Sequence, residues 1–156
     1  MSIEKVRSYL QTKGYADKML EFDVSSATVE LAALALGCEA CRIAKTLSFK
    51  KDDGCILVVT AGDVKIDNAK YKHTFGLKAK MLAFDEVEAK VGHAAGGVCP
   101  FAVNDGVEVY LDVSLKRFTT VFPAVGSASS AIELTPEELE TLSSPAAWID
   151  VCKIPV

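Results

Sequence analysis

Residues 42–61, RIAKTLSFKKDDGCILVVTA, restrict the fold more than any other stretch. Two runs rich in β-branched, aromatic and other apolar residues flank KKDDG, a charged turn that ends in glycine, so the segment reads as a β-hairpin. An isolated hairpin is marginal in water and needs further strands or a packed helix to cover its apolar surface. With period two, Ile43, Lys45, Leu47 and Phe49 share one face of the first strand, while Arg42, Ala44, Thr46 and Ser48 share the other. The first face is apolar except for Lys45. Two readings are open. Either the strand lies at an edge, with the lysine stem on apolar surface and its head in water, or the ammonium points into a cleft floored by Ile43, Leu47 and Phe49. A charge in such a cleft is costly unless anionic or carbonyl oxygens meet it, and it suits a phosphate, a carboxylate or a developing oxyanion.

The rest of the chain supplies the covering elements. Ser2 caps a first helix carrying Ile3, Val6 and Leu10 on one face, and Gly14 ends it. SSATVELAALALG is a second helix, capped by Ser26 or Thr28 and closed by Gly37. DNAKYKHTFG is a short helix, MLAF a brief strand, and DEVEAKVG a helix capped by Asp85. VEVYLD, RFTTVFPAVG, SAIEL and AAWIDVCKI read as strands. Before the last of these, TPEELETL begins a helix with Thr135 as cap, Pro136 at the first position and Glu138 completing a capping box. Six or seven short strands and four or five helices, mostly not alternating, predict a single α+β domain over residues 1–156. Its mixed, barrel-like sheet is flanked by the helices.

The net charge of −4 over 156 residues argues against general affinity for a long nucleic-acid backbone, but leaves room for a local basic patch. The N-terminus lacks an apolar signal region and no run is long enough to span a bilayer, which predicts a cytoplasmic protein with no membrane partner. Five cysteines, an odd number, fit free thiols in a reducing compartment. Cys38 and Cys41 form a C-x-x-C without a second pair or two spaced histidines, so no metal and no other cofactor is expected.

The loop GGVCPF, Gly96 to Phe101, is the second unusual feature. Glycines let backbone N–H groups approach a ligand, and such donors beside a lysine would polarise a carbonyl. A tight surface turn is the plainer reading. Cys99 lies in this loop with His93 six residues away, so a thiol nucleophile is conceivable. Asp112 ends the VYLD strand, where it either lines a site or caps a turn.

SSATVELAALALGCEACRIAKTLSF, GGVCPF, VYLD and AVGSASSAIELTPEEL, in that order and spacing, resemble the YbaK-type aminoacyl-tRNA deacylases. These are relatives of the editing domain inserted in bacterial prolyl-tRNA synthetase. The resemblance implies hydrolysis of the ester joining a wrong amino acid to the tRNA 3′ end, with no metal and no enzyme-bound acyl group. It implies catalytic roles for Lys45, Gly96 and Gly97. Substrate contacts then fall to Thr46, Val98, Cys99, Pro100, Phe101, Asp112, Gly126, Ser127 and Ser129. Many members have Ser where this chain has Cys99, and Gly where it has Ala102. The alanine-clearing domains have a histidine where this chain has Ser129, and the cysteine-clearing members a basic Arg-Gly pair. Sterics predict a small amino acid such as Ala, Ser, Thr or Cys. The expected partner is the acceptor end of a mischarged tRNA, with a synthetase as a further partner and no DNA. Lys65, Lys70, Lys72, Lys78 and Lys80, five lysines against one acid, form either its docking surface or a solvated face. Two other readings accompany this one: a non-catalytic tRNA- or synthetase-binding module, and a Cys99-dependent esterase.

Overall fold

The structure is a computed structural model that describes residues 2–23 and 28–155. In chain order its elements are α1 (Ser2–Thr12), β1 (Met19–Glu21), α2 (Val29–Leu36), β2 (Ile43–Lys51), β3 (Gly54–Ala61), β4 (Lys65–Ile66), α3 (Asn68–Phe75), α4 (Phe84–Val91), β5 (Glu108–Asp112), β6 (Phe122–Pro123), β7 (Ser130–Ile132), α5 (Pro136–Ser143), β8 (Ala147–Ile149) and β9 (Cys152–Lys153). Three short 3₁₀ turns join them.

The hairpin β2–β3 pairs antiparallel from Ala44 opposite Ala61 to Lys51 opposite Gly54. Around it the sheet runs β6-β2-β3-β5-β8, with β3–β5, β5–β8 and β2–β6 parallel. Two small antiparallel ladders, β1–β7 and β4–β9, lie outside this sheet. The α+β class and the mixed sheet agree with the sequence. The expected C-terminal strand divides into β8 and β9 because the Val151 N–H leaves the ladder to donate to Asp112 Oδ1 at 2.9 Å. MLAF supplies only an isolated bridge, Met81 to Phe49.

Both faces of the hairpin are covered, so period-two alternation does not appear in its burial. Every residue of β3 after Gly54 is buried, and in β2 neighbours on opposite faces, Ile43 with Ala44 and Ser48 with Phe49, are buried together. On one side Phe49, Tyr71 of α3, Phe75 and Tyr110 stack in series, with ring centroids 4.7–5.0 Å apart. Such aromatic runs add about 0.5–1.5 kcal/mol per pair beyond area burial. Ile43 packs instead with Ala33 of α2, Phe122 and Ala131 in a second, smaller apolar cluster.

Local chemistry sets most helix ends. Thr28 Oγ1 accepts from Leu31 N–H at the start of α2, and Gly37 closes that helix with φ +67°; Ser26, the other cap considered, lies outside the described residues. Thr135 and Glu138 exchange both bonds of a capping box, as the sequence predicts. For α4 the cap is Ala83, not Asp85. The Glu86 carboxylate accepts the Ala83 N–H at 3.1 Å, which starts the helix two residues earlier than Asp85 would.

Candidate active site

A cleft of about 490 Å³ opens along the outer edge of β2. It touches all six consecutive residues from Ile43 to Ser48. Because successive side chains in a strand point to opposite faces, contact with six in a row means that the cleft runs along the strand's edge. The pairing explains why an edge is open there. β6 covers it only at Ile43 and Ala44. Residues 80–82 cover it again beyond, where Lys50 N–H donates to Lys80 O at 2.8 Å and Leu82 N–H to Ser48 O at 3.1 Å. The backbone polar groups of residues two apart turn to the same edge, so the N–H and C=O of Thr46 face the gap. Among the described residues no partner fills it. Thr46 Oγ1 is also buried without a hydrogen-bond partner among the described residues.

Lys45 lines this cleft and is half-buried. Its Nζ donates to Val64 O at 2.6 Å, and among the described residues its other two N–H bonds are uncommitted. Burial pulls the ammonium below the ordinary lysine pKa, and the carboxylates of Asp63 and Glu30 act in the opposite direction. The acceptor is itself held in place. Arg117 grips the neighbouring Asp63 through both carboxylate oxygens, at 2.6 and 3.1 Å, and keeps that carboxyl below its usual range. The lysine is thus neither a free surface charge nor neutralised by a direct ion pair.

The glycine loop forms part of the opposite wall. Gly96 and Val98 line the cleft, and no hydrogen bond engages either N–H among the described residues. Gly97 does not line it: its N–H donates to Ala94 O at 3.0 Å. A Cβ on Gly97 would lie 2.9 Å from Gly126 O, so this glycine is required for close backbone approach. The remainder of the loop turns inward. Cys99 and Phe101 are wholly buried and absent from the cleft, and Pro100 is buried beside them. Cys99 Sγ lies 3.5 Å from His93 Nε2, but burial pushes the thiol up to about 12 and holds the imidazole below its ordinary value. A thiol nucleophile needs access and a lowered pKa, and this cysteine has neither. His93 is also fully buried, and its Nε2–H donates to Phe101 O at 2.7 Å, which pins the loop.

Of the remaining candidates, Ser127 lines the cleft, with Ala128 and Ser130. Ser127 Oγ donates to Ser130 Oγ at 2.9 Å. Gly126 (φ +107°) packs against the start of α1 and Ser129 accepts from Phe22 N–H, both outside the cleft lining. Asp112 is 1% exposed and its two oxygens accept from Ser114 and Val151 N–H, so it ties β5 to the C-terminal strands and does not line the site. The five lysines are dispersed. Lys70 is bound to Asp150 and Cys152 O. Lys65, Lys72, Lys78 and Lys80 are exposed and unpaired among the described residues, and Lys80 adjoins Met81 at the cleft. Sequence reasoning missed the α2 wall (Val29, Ala32, Leu36), Ser130 and the rim residues Met81 and Phe84. Only the exposed apolar Phe84 before an acidic helix start could have signalled its place. No group of three His, Cys, Asp or Glu side chains is placed to hold a metal among the described residues, and no helix there is long and apolar enough to cross a membrane.

The open sheet edge and the half-buried lysine thus face a glycine loop across one cleft, and residues 24–142 match the Aminoacyl-tRNA editing domain family. The chain belongs to that family. It is 55% identical over 154 residues to the uncharacterized protein YwhH of Bacillus subtilis (strain 168), covering 98% of both chains. It is 35% identical over 86 residues to the proline–tRNA ligase of the same organism, a match spanning 54% of this chain and 15% of the ligase. Among solved structures, a protein described as a candidate trans-editing enzyme for prolyl tRNA synthetase superposes with a TM-score of 0.87 at 30% identity, covering 97% of each chain. The hypothetical protein APE2540 superposes with a TM-score of 0.84 at 26% identity, covering 96% of this chain and 99% of that one.

Proposed function

We propose that this protein hydrolyses, in trans, the ester that joins a mischarged small amino acid to the 3′ end of tRNA, of the prolyl type or a related one. One observation carries the reading: in a chain of the editing-domain family, Lys45 and the open β2 edge line the same cleft as Gly96 and Val98. The aminoacyl ester is already activated, so the site needs to orient it and stabilise the oxyanion. The Lys45 N–H bonds and the Gly96 and Val98 amides that stay uncommitted among the described residues are donors of the required kind. Gly97 serves by its lack of a side chain. Water, or the substrate's own side chain, is the attacking group, since Cys99 lies outside the cleft. The same cleft must take the terminal ribose as well as the acyl group, which leaves limited room for a side chain between Ile43, Leu47 and Phe122.

The test is deacylation of alanyl-, seryl-, threonyl-, cysteinyl-, leucyl- and phenylalanyl-tRNA by wild type and Lys45→Ala. The reading expects hydrolysis of one or more of the four small esters, and a drop of about 10²–10³-fold in Lys45→Ala, the usual cost of one oxyanion donor. Preference for the leucyl or phenylalanyl ester, or full activity without the lysine, overturns it. A chain that binds tRNA but hydrolyses none of these esters would instead be a binding module.

A further inference from the structure

The open edge of β2 specifies more about the substrate than its size. Two acceptors at Thr46 lack partners among the described residues: the backbone C=O, turned into the gap between β6 and residues 80–82, and the buried Oγ1. Buried polar groups are almost always satisfied, and each exception asks for an explanation. An unpaired sheet edge that lines a cleft points the same way, since it offers its groups to whatever extended ligand lies along it. A ligand that answers both acceptors with a single small group must bring at least two hydrogen-bond donors on it. It must also bring an acceptor for the Thr46 N–H on the same edge. An aminoacyl ester has this set: an α-ammonium with three donors, next to an ester carbonyl.

Resting on the deacylase reading, we propose that Thr46 receives the free α-ammonium of the bound amino acid through its C=O and Oγ1. The site therefore takes esters of free amino acids and rejects esters whose α-nitrogen is absent or acylated. Lys45 does not compete for this role. Its side chain leaves the opposite face of the strand and its ammonium is held at Val64 O. Where the hydroxyl is turned from the ligand, rotation about χ1 exchanges it with the methyl and breaks no existing hydrogen bond. Thr46→Val therefore removes an acceptor without removing any bond made among the described residues.

The experiment compares alanyl-tRNA with lactyl-tRNA, in which a hydroxyl replaces the α-ammonium at nearly constant size. Each rate is divided by the uncatalysed hydrolysis of the same ester. Wild type should favour the alanyl ester by at least about tenfold in this corrected kcat/KM, the effect of one charge-assisted hydrogen bond. Thr46→Val should narrow that preference several-fold, while its thermal midpoint equals or exceeds that of wild type, because an unsatisfied hydroxyl has gone. Equal acceleration of both esters by wild type overturns the inference, as does an undiminished preference in Thr46→Val. Should wild type hydrolyse neither ester, the inference is judged by binding, while the deacylase reading fails only if the seryl, threonyl and cysteinyl esters are also left intact. Titration with 3′-alanylamido- and 3′-lactylamido-adenosine, followed by NMR, must then show at least about tenfold tighter binding of the ammonium form, and equal binding rejects it.

Discussion

Ala102 carries φ +53° immediately after the loop that ends at Phe101. An L-residue held there costs about 1–2 kcal/mol relative to the right-handed region, and glycine escapes that cost while adding about 0.4–1 kcal/mol of unfolded-state entropy. The difference favours glycine, which accounts for its use at this place in many proteins that the sequence resembles. Ala102→Gly should therefore stabilise the fold by up to about 1.6 kcal/mol, measured as a higher urea midpoint with an unchanged slope. A lower midpoint would mean that the alanine methyl contributes more by packing than the strain costs. Gly97 is the opposite case within the same loop. There the limit is contact, since a Cβ would collide with the Gly126 carbonyl.

The loop as an element hangs on His93. Its Nε2–H holds Phe101 O, its Nδ1 is buried without a partner among the described residues, and Lys5 and Cys99 are the titratable groups there that bear on it. Burial depresses the folded-state pKa, so below about 6.5 the unfolded chain takes up a proton that the folded chain refuses. The stabilisation from keeping this imidazole neutral is complete above that pH. It is lost as pH falls from there toward the depressed folded value, by at most about 1.4 kcal/mol per unit for one proton. His93→Gln retains a donor for Phe101 O and cannot titrate, so its unfolding free energy should fall less steeply between pH 6.5 and 5 than that of wild type. Parallel pH profiles would remove His93 as the cause. None of this was legible at His93 itself, which the sequence offers only as a possible base for Cys99. What the sequence does encode is local: the hairpin turn, the Thr135–Glu138 box and the Thr28 cap each depend on residues within a few positions. The gap in the β2 edge is set by residues 80–82 and 122–123, far away in the chain, and no periodicity within β2 reveals it. Asp112 was ambiguous for the same reason, because its second partner, Val151, is 39 residues away.

At the scale of the whole molecule the electrostatics are uneven. The chain carries −4 overall, yet residues 65–80 hold five lysines and one acid. If tRNA presents its 3′ end to the cleft, the phosphates nearest that end pass the segment that leads into Met81 and Phe84, where Lys78 and Lys80 are exposed and unpaired among the described residues. Lys70 is different, because its ammonium is already shared between Asp150 and Cys152 O and must leave both to meet a phosphate. Each single-strand phosphate contact contributes about 0.7 to the slope of log K against log salt, and each duplex contact about 0.9. Replacing Lys78 and Lys80 together with Gln should therefore weaken tRNA binding and flatten the slope by about 1.4–1.8, whereas Lys70→Gln should change it by much less. Binding measured across a series of salt concentrations separates the outcomes. An unchanged slope in the double variant would make residues 78–80 a solvated face and move the docking surface elsewhere, with Lys65 and Lys72 as the next pair to replace. A large change in Lys70→Gln would mean that the ion pair with Asp150 opens on binding, so that the lysine exchanges a carboxylate for a phosphate.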